Sequence, residues 1–332
     1  MLRRLSERTN GFTISPAAYR KVAYAALIFL WLIILTGAGV RLTGSGLGCP
    51  DWPKCYGGYV APARLHAWIE YGNRLISGIV GLAAIAAGIL AWRRRPFRWE
   101  LALFGALLPL GVIAQAGLGA LTVENDLAPG FLMSHYVLSM LILDAAFALA
   151  WCSTYEPGER RRSNDFLGVW AVRCLLPIGA LTIAVGTAVT ASGPHAGGAG
   201  TWDVINRLEF KGADTLSWIA TRHGILAGIF LLSVLGVILL LRRPGGDRRA
   251  VRPLSVLAGL LVVQAILGIT QYRLELPAEM VWFHVLFATI IWLTMLWSVG
   301  TAGQLAPRAD REKVRGPESP GGSRPLTDGA GA

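Results

Sequence analysis

The chain has 332 residues, 54% of them hydrophobic and 15% charged, with a mean hydropathy of +0.51. A soluble domain carries roughly 25% charged residues, so a water-soluble globule is excluded. The net charge of +11 does not imply nucleic acid as a partner, because the cations gather in short segments between apolar runs and act as topology signals.

Residues 1–21 are polar and mixed in charge, lack the pattern of a cleavable signal peptide, and are expected to form a cytoplasmic tail. The first apolar run, Val22–Val40, meets the roughly 18-residue requirement for crossing a bilayer. A loop containing Cys49 and Cys55 follows, then His66, Glu70, Asn73 and Arg74 ahead of a second run, Leu75–Trp92. Further runs occupy Leu101–Val123, Leu127–Leu143, Cys174–Trp202, His223–Leu241, Pro253–Tyr272 and Met280–Ala306. The chain from about Ala306 is rich in Gly, Pro, Arg and Asp and is expected to be disordered. The prediction is an all-α integral membrane protein with eight transmembrane helices.

Arginines recur at Arg93, Arg94, Arg95 and Arg98, at Arg160, Arg161 and Arg162, and at Arg242, Arg243, Arg248, Arg249 and Arg252. All three groups fall in even-to-odd loops, so the positive-inside rule puts both termini in the cytoplasm of a cell membrane.

The spans repeat. Gly37 pairs with Gly186, Asn73 with His223, Gln115 with Gln264 and His135 with His284, at offsets of 186−37 = 149, 223−73 = 150, 264−115 = 149 and 284−135 = 149. Four spans matching four in order at a near-constant shift predict two pseudo-twofold-related four-helix bundles, a parallel repeat with its axis along the membrane normal.

Ionisable side chains inside spans are costly and mark function. His135, His223 and His284 lie within about two turns of the starts of even-numbered helices, all in the outer leaflet, where facing imidazoles could hold a metal or haem in a bundle core. Taken singly, each could be an interfacial histidine bonded to water. Gly78, Gly81, Gly117, Gly119, Gly228 and Gly268 would leave room for a flat macrocycle or serve ordinary helix packing. His66, Glu70 and Asn73 share one helical face. With Asn73 where the second half has His223, and Glu70 able to accept a proton, the first half reads as reactive and the second as a bound haem relay.

Cys49 and Cys55, outside the cytoplasm, predict a disulfide, since no second pair of suitable spacing offers zinc a site. Cys152 and Cys174 read as small apolar residues. Arg41, Arg74 and Arg222, at outer helix ends, could pair with haem propionates or snorkel to the interface. Asp144, about 180° round the helix from His135, has no role beyond packing or closeness to the interface.

Gly39-Val40-Arg41-Leu42-Thr43-Gly44-Ser45-Gly46-Leu47-Gly48-Cys49-Pro50-Asp51-Trp52-Pro53-Lys54-Cys55 resembles the signature of bacterial haem A synthases, and Trp68-Ile69-Glu70-Tyr71-Gly72-Asn73-Arg74 resembles that family's second-helix motif. The resemblance implies oxidation of the C8 methyl of haem O to a formyl group, giving haem A for terminal oxidases. It implies haem b held by His223 and His284, substrate haem in the first half with His135 and Glu70 as functional positions, and a family cysteine pair at Cys49 and Cys55. Haem O synthase and terminal oxidase assembly proteins are the implied partners, beside membrane lipid. The family commonly has histidine at Asn73; here the first-half iron is expected on His135 alone, with His66 as second choice. The division is then 22–152 for substrate haem, 153–170 as a cytoplasmic linker, 171–302 for haem b and 303–332 as tail. A di-haem b-type electron-transfer cytochrome acting with quinone, or a polytopic transporter, would carry the same spans.

Overall fold

The structure, a computed structural model, describes residues 12–160, 163–198 and 207–303. Its long helices are α1 (Pro16–Leu42), α2 (Leu65–Arg93), α3 (Trp99–Glu124), α4 (Pro129–Thr154), α5 (Phe166–Ser192), α6 (Thr215–Leu241), α7 (Val251–Arg273) and α8 (Ala278–Thr301). Each is long and apolar enough to cross a bilayer, where a helix satisfies its own backbone polar groups. The chain is therefore a multi-pass membrane protein.

The helices outrun the apolar runs that mark them. α2 starts at Leu65 rather than Leu75, so His66, Glu70, Asn73 and Arg74 all ride on it. Polar residues are tolerated where a helix leaves the hydrocarbon, and hydropathy underestimates its length there. α5 errs the other way: it stops at Ser192 before Gly193-Pro194, short of the expected Trp202, which lies outside the described residues. Proline disfavours helical backbone at the residue before it. The tail from residue 304 also lies outside the described residues.

Each half closes on itself. α1 packs on α2 and α4, and α3 joins α2 to α4; α5 through α8 repeat this ring. The halves meet through α1–α8, α4–α5 and α4–α8. Exchanging α1 with α5 and α4 with α8 turns the first of these contacts into the second and returns the third to itself, as two pseudo-twofold-related bundles require.

The backbone repeats in finer detail at the corners that follow α3 and α7. Asp126 and Leu127 have φ of 49° and 58°, and Glu275 and Leu276, at 275−126 = 149 and 276−127 = 149, have 61° and 64°. Left-handed backbone costs a non-glycine residue roughly 1–2 kcal/mol, so such pairs need support. Leu127 N–H donates to Thr122 O at 2.9 Å and Leu276 N–H to Gln271 O at 2.7 Å, again 149 residues apart. The same corner is built twice.

Buried apolar clusters fill each half, and another, around Ile34, Met140, Leu143 and Trp292, lies at their seam. There Trp31 Nε1 donates to Thr289 Oγ1 at 2.8 Å, and Trp282 Nε1 to Leu35 O at 3.1 Å. Asp144 finds its role here: its carboxylate accepts from Trp292 Nε1 at 2.5 Å, tying α4 to α8.

At the opposite end from the cysteines, some arginines do more than set topology. Arg94 is fully buried and pairs with Glu156, while Arg98 pairs with Glu100 at 2.7 Å and donates to Tyr155 O.

Candidate functional site

α2, α4, α6 and α8 all start at the disulfide end, and each brings one position of the repeat to the same depth: Asn73, His135, His223 and His284. In the second half, His223 and His284 face each other with ring centroids 6.2 Å apart. The carbonyl of Thr182 on α5 lies 3.0 Å from His223 Nδ1, which orients that ring and leaves Nε2 free. His284 Nδ1 is buried without a partner among the protein atoms. Glycine lets both rings fit: a Cβ on Gly186 would lie 2.9 Å from His223 Cε1, and one on Gly268 3.2 Å from His284 Cε1.

The first half copies part of this plan. His135 Nδ1 is buried and unpartnered, and Gly119 lies beside its ring as Gly268 lies beside His284. Gln115 Nε2 donates to His135 O at 2.9 Å, and Gln264 Nε2 to His284 O at 2.9 Å. The repeat identifies these glutamines by their match; their function as clamps on the histidine-bearing helices emerges only in three dimensions. At the counterpart of His223 the copy departs, since Asn73 Oδ1 accepts from Thr36 Oγ1 at 2.8 Å. Nothing in the sequence marked Thr36.

His66 stands two turns closer to the helix start, with Nδ1 2.9 Å from Ser45 Oγ. Its carbonyl lies against Gly48, where a Cβ would approach to 2.2 Å. That contact pins the start of α2 to the cysteine loop.

Cys49 and Cys55 form the expected disulfide, with Cα atoms 4.6 Å apart and both side chains buried. Glu70, 6% exposed, accepts from Cys49 N–H at 2.8 Å and pairs with Arg74 at 2.5 Å. Arg74 also donates to the carbonyls of Asp51, Lys54 and Cys49. The Gly57 N–H, joined by that of Tyr56, holds the Asp51 carboxyl below the usual carboxylate range. Glu70 and Arg74 thus moor the loop over the first half.

Arg41 donates to the carbonyl of His195. His195, left without a role by the sequence, has Nε2 2.7 Å from Leu276 O, and Leu47 N–H bonds to Gly198 O, so the caps of the two halves interlock. Arg222 stacks 3.7 Å over Trp218 and bonds to its carbonyl.

The donor set suits haem. A metal–imidazole bond of about 2 Å, plus about 1.1 Å from nitrogen to ring centre, counted twice, calls for centroids about 6 Å apart, and His223 and His284 match that spacing. The family model described as cytochrome oxidase assembly protein (COX15-CtaA) matches residues 20–67 and 62–296. The chain belongs to this family.

Among the proteins it resembles, the heme A synthase of Shewanella oneidensis is 35% identical over 140 residues, 35% of this chain and 42% of the relative. That of Lysinibacillus sphaericus is 34% identical over 149 residues, 44% and 48% respectively. A protoheme IX farnesyltransferase of Thermus thermophilus is 29% identical over 304 residues, 87% of this chain and 49% of the relative. The chain spans less than half the length of each of these relatives.

Proposed function

We propose that this chain is a haem A synthase, oxidising the C8 methyl of haem O to a formyl group and so producing haem A for a cytochrome oxidase. The observation that carries the reading is the facing pair His223 and His284, at the spacing one iron requires, in a chain of the cytochrome oxidase assembly family. These two imidazoles would hold haem b. Bound there, the group supplies an iron that takes up and passes on single electrons. His135 would hold the iron of the substrate haem. The gathering of arginines in the even-to-odd loops supports a cell-membrane protein with its disulfide end outside and both termini in the cytoplasm.

Glu70 lies at the disulfide end of the first half, one helical turn from Asn73, with its carboxylate shielded from solvent. Oxidation of a methyl group releases protons as well as electrons, and Glu70 would take up a proton. Doing so loosens its pair with Arg74 and its hold on Cys49 N–H, so proton uptake would be coupled to the loop. Of the three outer arginines, Arg222 is least committed to the fold and is our first choice for a haem propionate; Arg41 and Arg74 would have to share their present carbonyl bonds. The likeness to a protoheme IX farnesyltransferase supports a supply step in which farnesylated haem passes through the lipid to this bundle.

The test is to express the chain in cells making haem O but no haem A, then extract and identify the haem. Haem A, or its hydroxymethyl precursor, is expected. Unmodified haem alone would replace this reading with an electron-transfer cytochrome, and a colourless protein would leave only a transporter.

A further inference from the structure

Asn73 occupies the counterpart of a ligand position without being able to serve as one. In the second half, the Thr182 carbonyl bonds the ring of His223. Its counterpart by the repeat, at 182−149 = 33, is the Ile33 carbonyl, and there Thr36 Oγ1 lies at 3.2 Å, its single proton shared between that carbonyl and the nearer Asn73 Oδ1 at 2.8 Å. Thr36 therefore fills the anchoring point that an imidazole uses in the other half, and it fixes the Asn73 amide by its oxygen. The amide nitrogen is left to face away from Thr36.

Reach decides the consequence. An asparagine amide ends one bond short of an imidazole Nε2, so it would stop between about 3 and 4 Å from an iron placed as in the second half, given a metal–nitrogen bond of about 2 Å. That is too far to bind the metal. It is the separation filled by one small ligand bound to iron at about 2 Å and accepting a hydrogen bond of about 2.9 Å. His66 does not close the gap: it lies seven residues from Asn73, about 10 Å along the helix at 1.5 Å per residue, with Ser45 on its Nδ1. A cleft of about 350 Å³ between α1 and α2 is bordered by Thr36, Gly39, Gly72, Asn73 and Ile76.

We propose that the first half holds its haem iron on His135 alone and that Asn73, fixed by Thr36, forms a pocket for a small neutral ligand, a diatomic gas or water, at the sixth position. The proposal rests on the haem reading above and deepens it, and haem counting separates the two. In purified, reduced protein loaded with two haems per chain, carbon monoxide should shift the Soret band of about half the haem. His135→Ala should abolish that shift, and His223→Ala should leave it in place. Asn73→His should turn the reactive haem into a six-coordinate, low-spin form and weaken carbon monoxide binding at least about tenfold, about 1.4 kcal/mol. Thr36→Val, which leaves both histidines untouched, should speed carbon monoxide release. Two haems that both ignore carbon monoxide, or a reactive haem indifferent to Asn73→His, would overturn the pocket. A single haem per chain, lost in His223→Ala, would remove the first-half haem itself and the pocket with it.

Discussion

Replacing Arg74 with methionine tests whether the Glu70–Arg74 pair moors the cysteine loop. The change keeps most of the side-chain volume but strips the counter-charge from a carboxylate whose side chain is 8% exposed. It also removes the donor serving the carbonyls of Cys49, Asp51 and Lys54. Removing one partner of a buried ion pair costs about 3–5 kcal/mol. Arg74 is 19% exposed, and solvent screening at that end favours the low figure, about 3 kcal/mol. Because the loss falls on the loop, it should lower the free energy of local opening by that amount, raising the open population about 100-fold at 1.4 kcal/mol per tenfold. Cys49 and Cys55 are 0% and 2% exposed, so a water-soluble phosphine must wait for that opening. The rate of disulfide reduction in detergent, followed by alkylation of the freed thiols, should therefore rise about 100-fold in Arg74→Met. Adding Glu70→Leu should recover part of the loss, because it removes the stranded charge. A reduction rate equal to that of the unaltered protein would refute the mooring.

At the seam, Trp292→Phe should destabilise the protein by about 1–3 kcal/mol in thermal unfolding, since it strands the Asp144 carboxylate. Asp144→Leu, which installs the residue type of its repeat counterpart Leu293, leaves only the neutral Trp292 Nε1–H without an acceptor and should cost less; equal losses would show that the stranded charge is not what matters. Gly186→Ala sets a Cβ 2.9 Å from the His223 ring and should lower haem retention in the second half while sparing reactivity in the first. Asp51 is ionised in the folded loop at a pH where the unfolded chain, with a carboxyl near 3.9, is already protonated. Its contribution is complete above that value and disappears as pH falls through the lower folded one, so disulfide reduction should accelerate below about pH 4. Asp51→Asn should reduce that acceleration.

The fold was legible because lipid imposes one solution on an apolar run of sufficient length, and because duplication let weak matches reinforce one another. The recurrence of left-handed corners at Asp126-Leu127 and Glu275-Leu276 had no signature, since neither pair contains the glycine that usually marks such backbone. The histidine positions could be read from register alone. What occupies the remaining hydrogen bonds could not, because those partners are distant in sequence: Asp144 meets Trp292 148 residues on, and Arg41 meets the carbonyl of His195 154 residues on. Arg74 shows the same limit more sharply. An arginine at a helix end suits a propionate as well as a row of carbonyls, and only the path of the folded cysteine loop distinguishes the two.

We propose above that imidazoles at the disulfide end of the second half would hold haem iron from both sides. Electron paramagnetic resonance of the purified, oxidised protein addresses it most directly, comparing the unaltered chain with His223→Ala and His284→Ala. A low-spin signal of two axial imidazoles, lost in each variant and retained in His66→Ala, is the predicted result. The same signal persisting in His284→Ala would contradict the account.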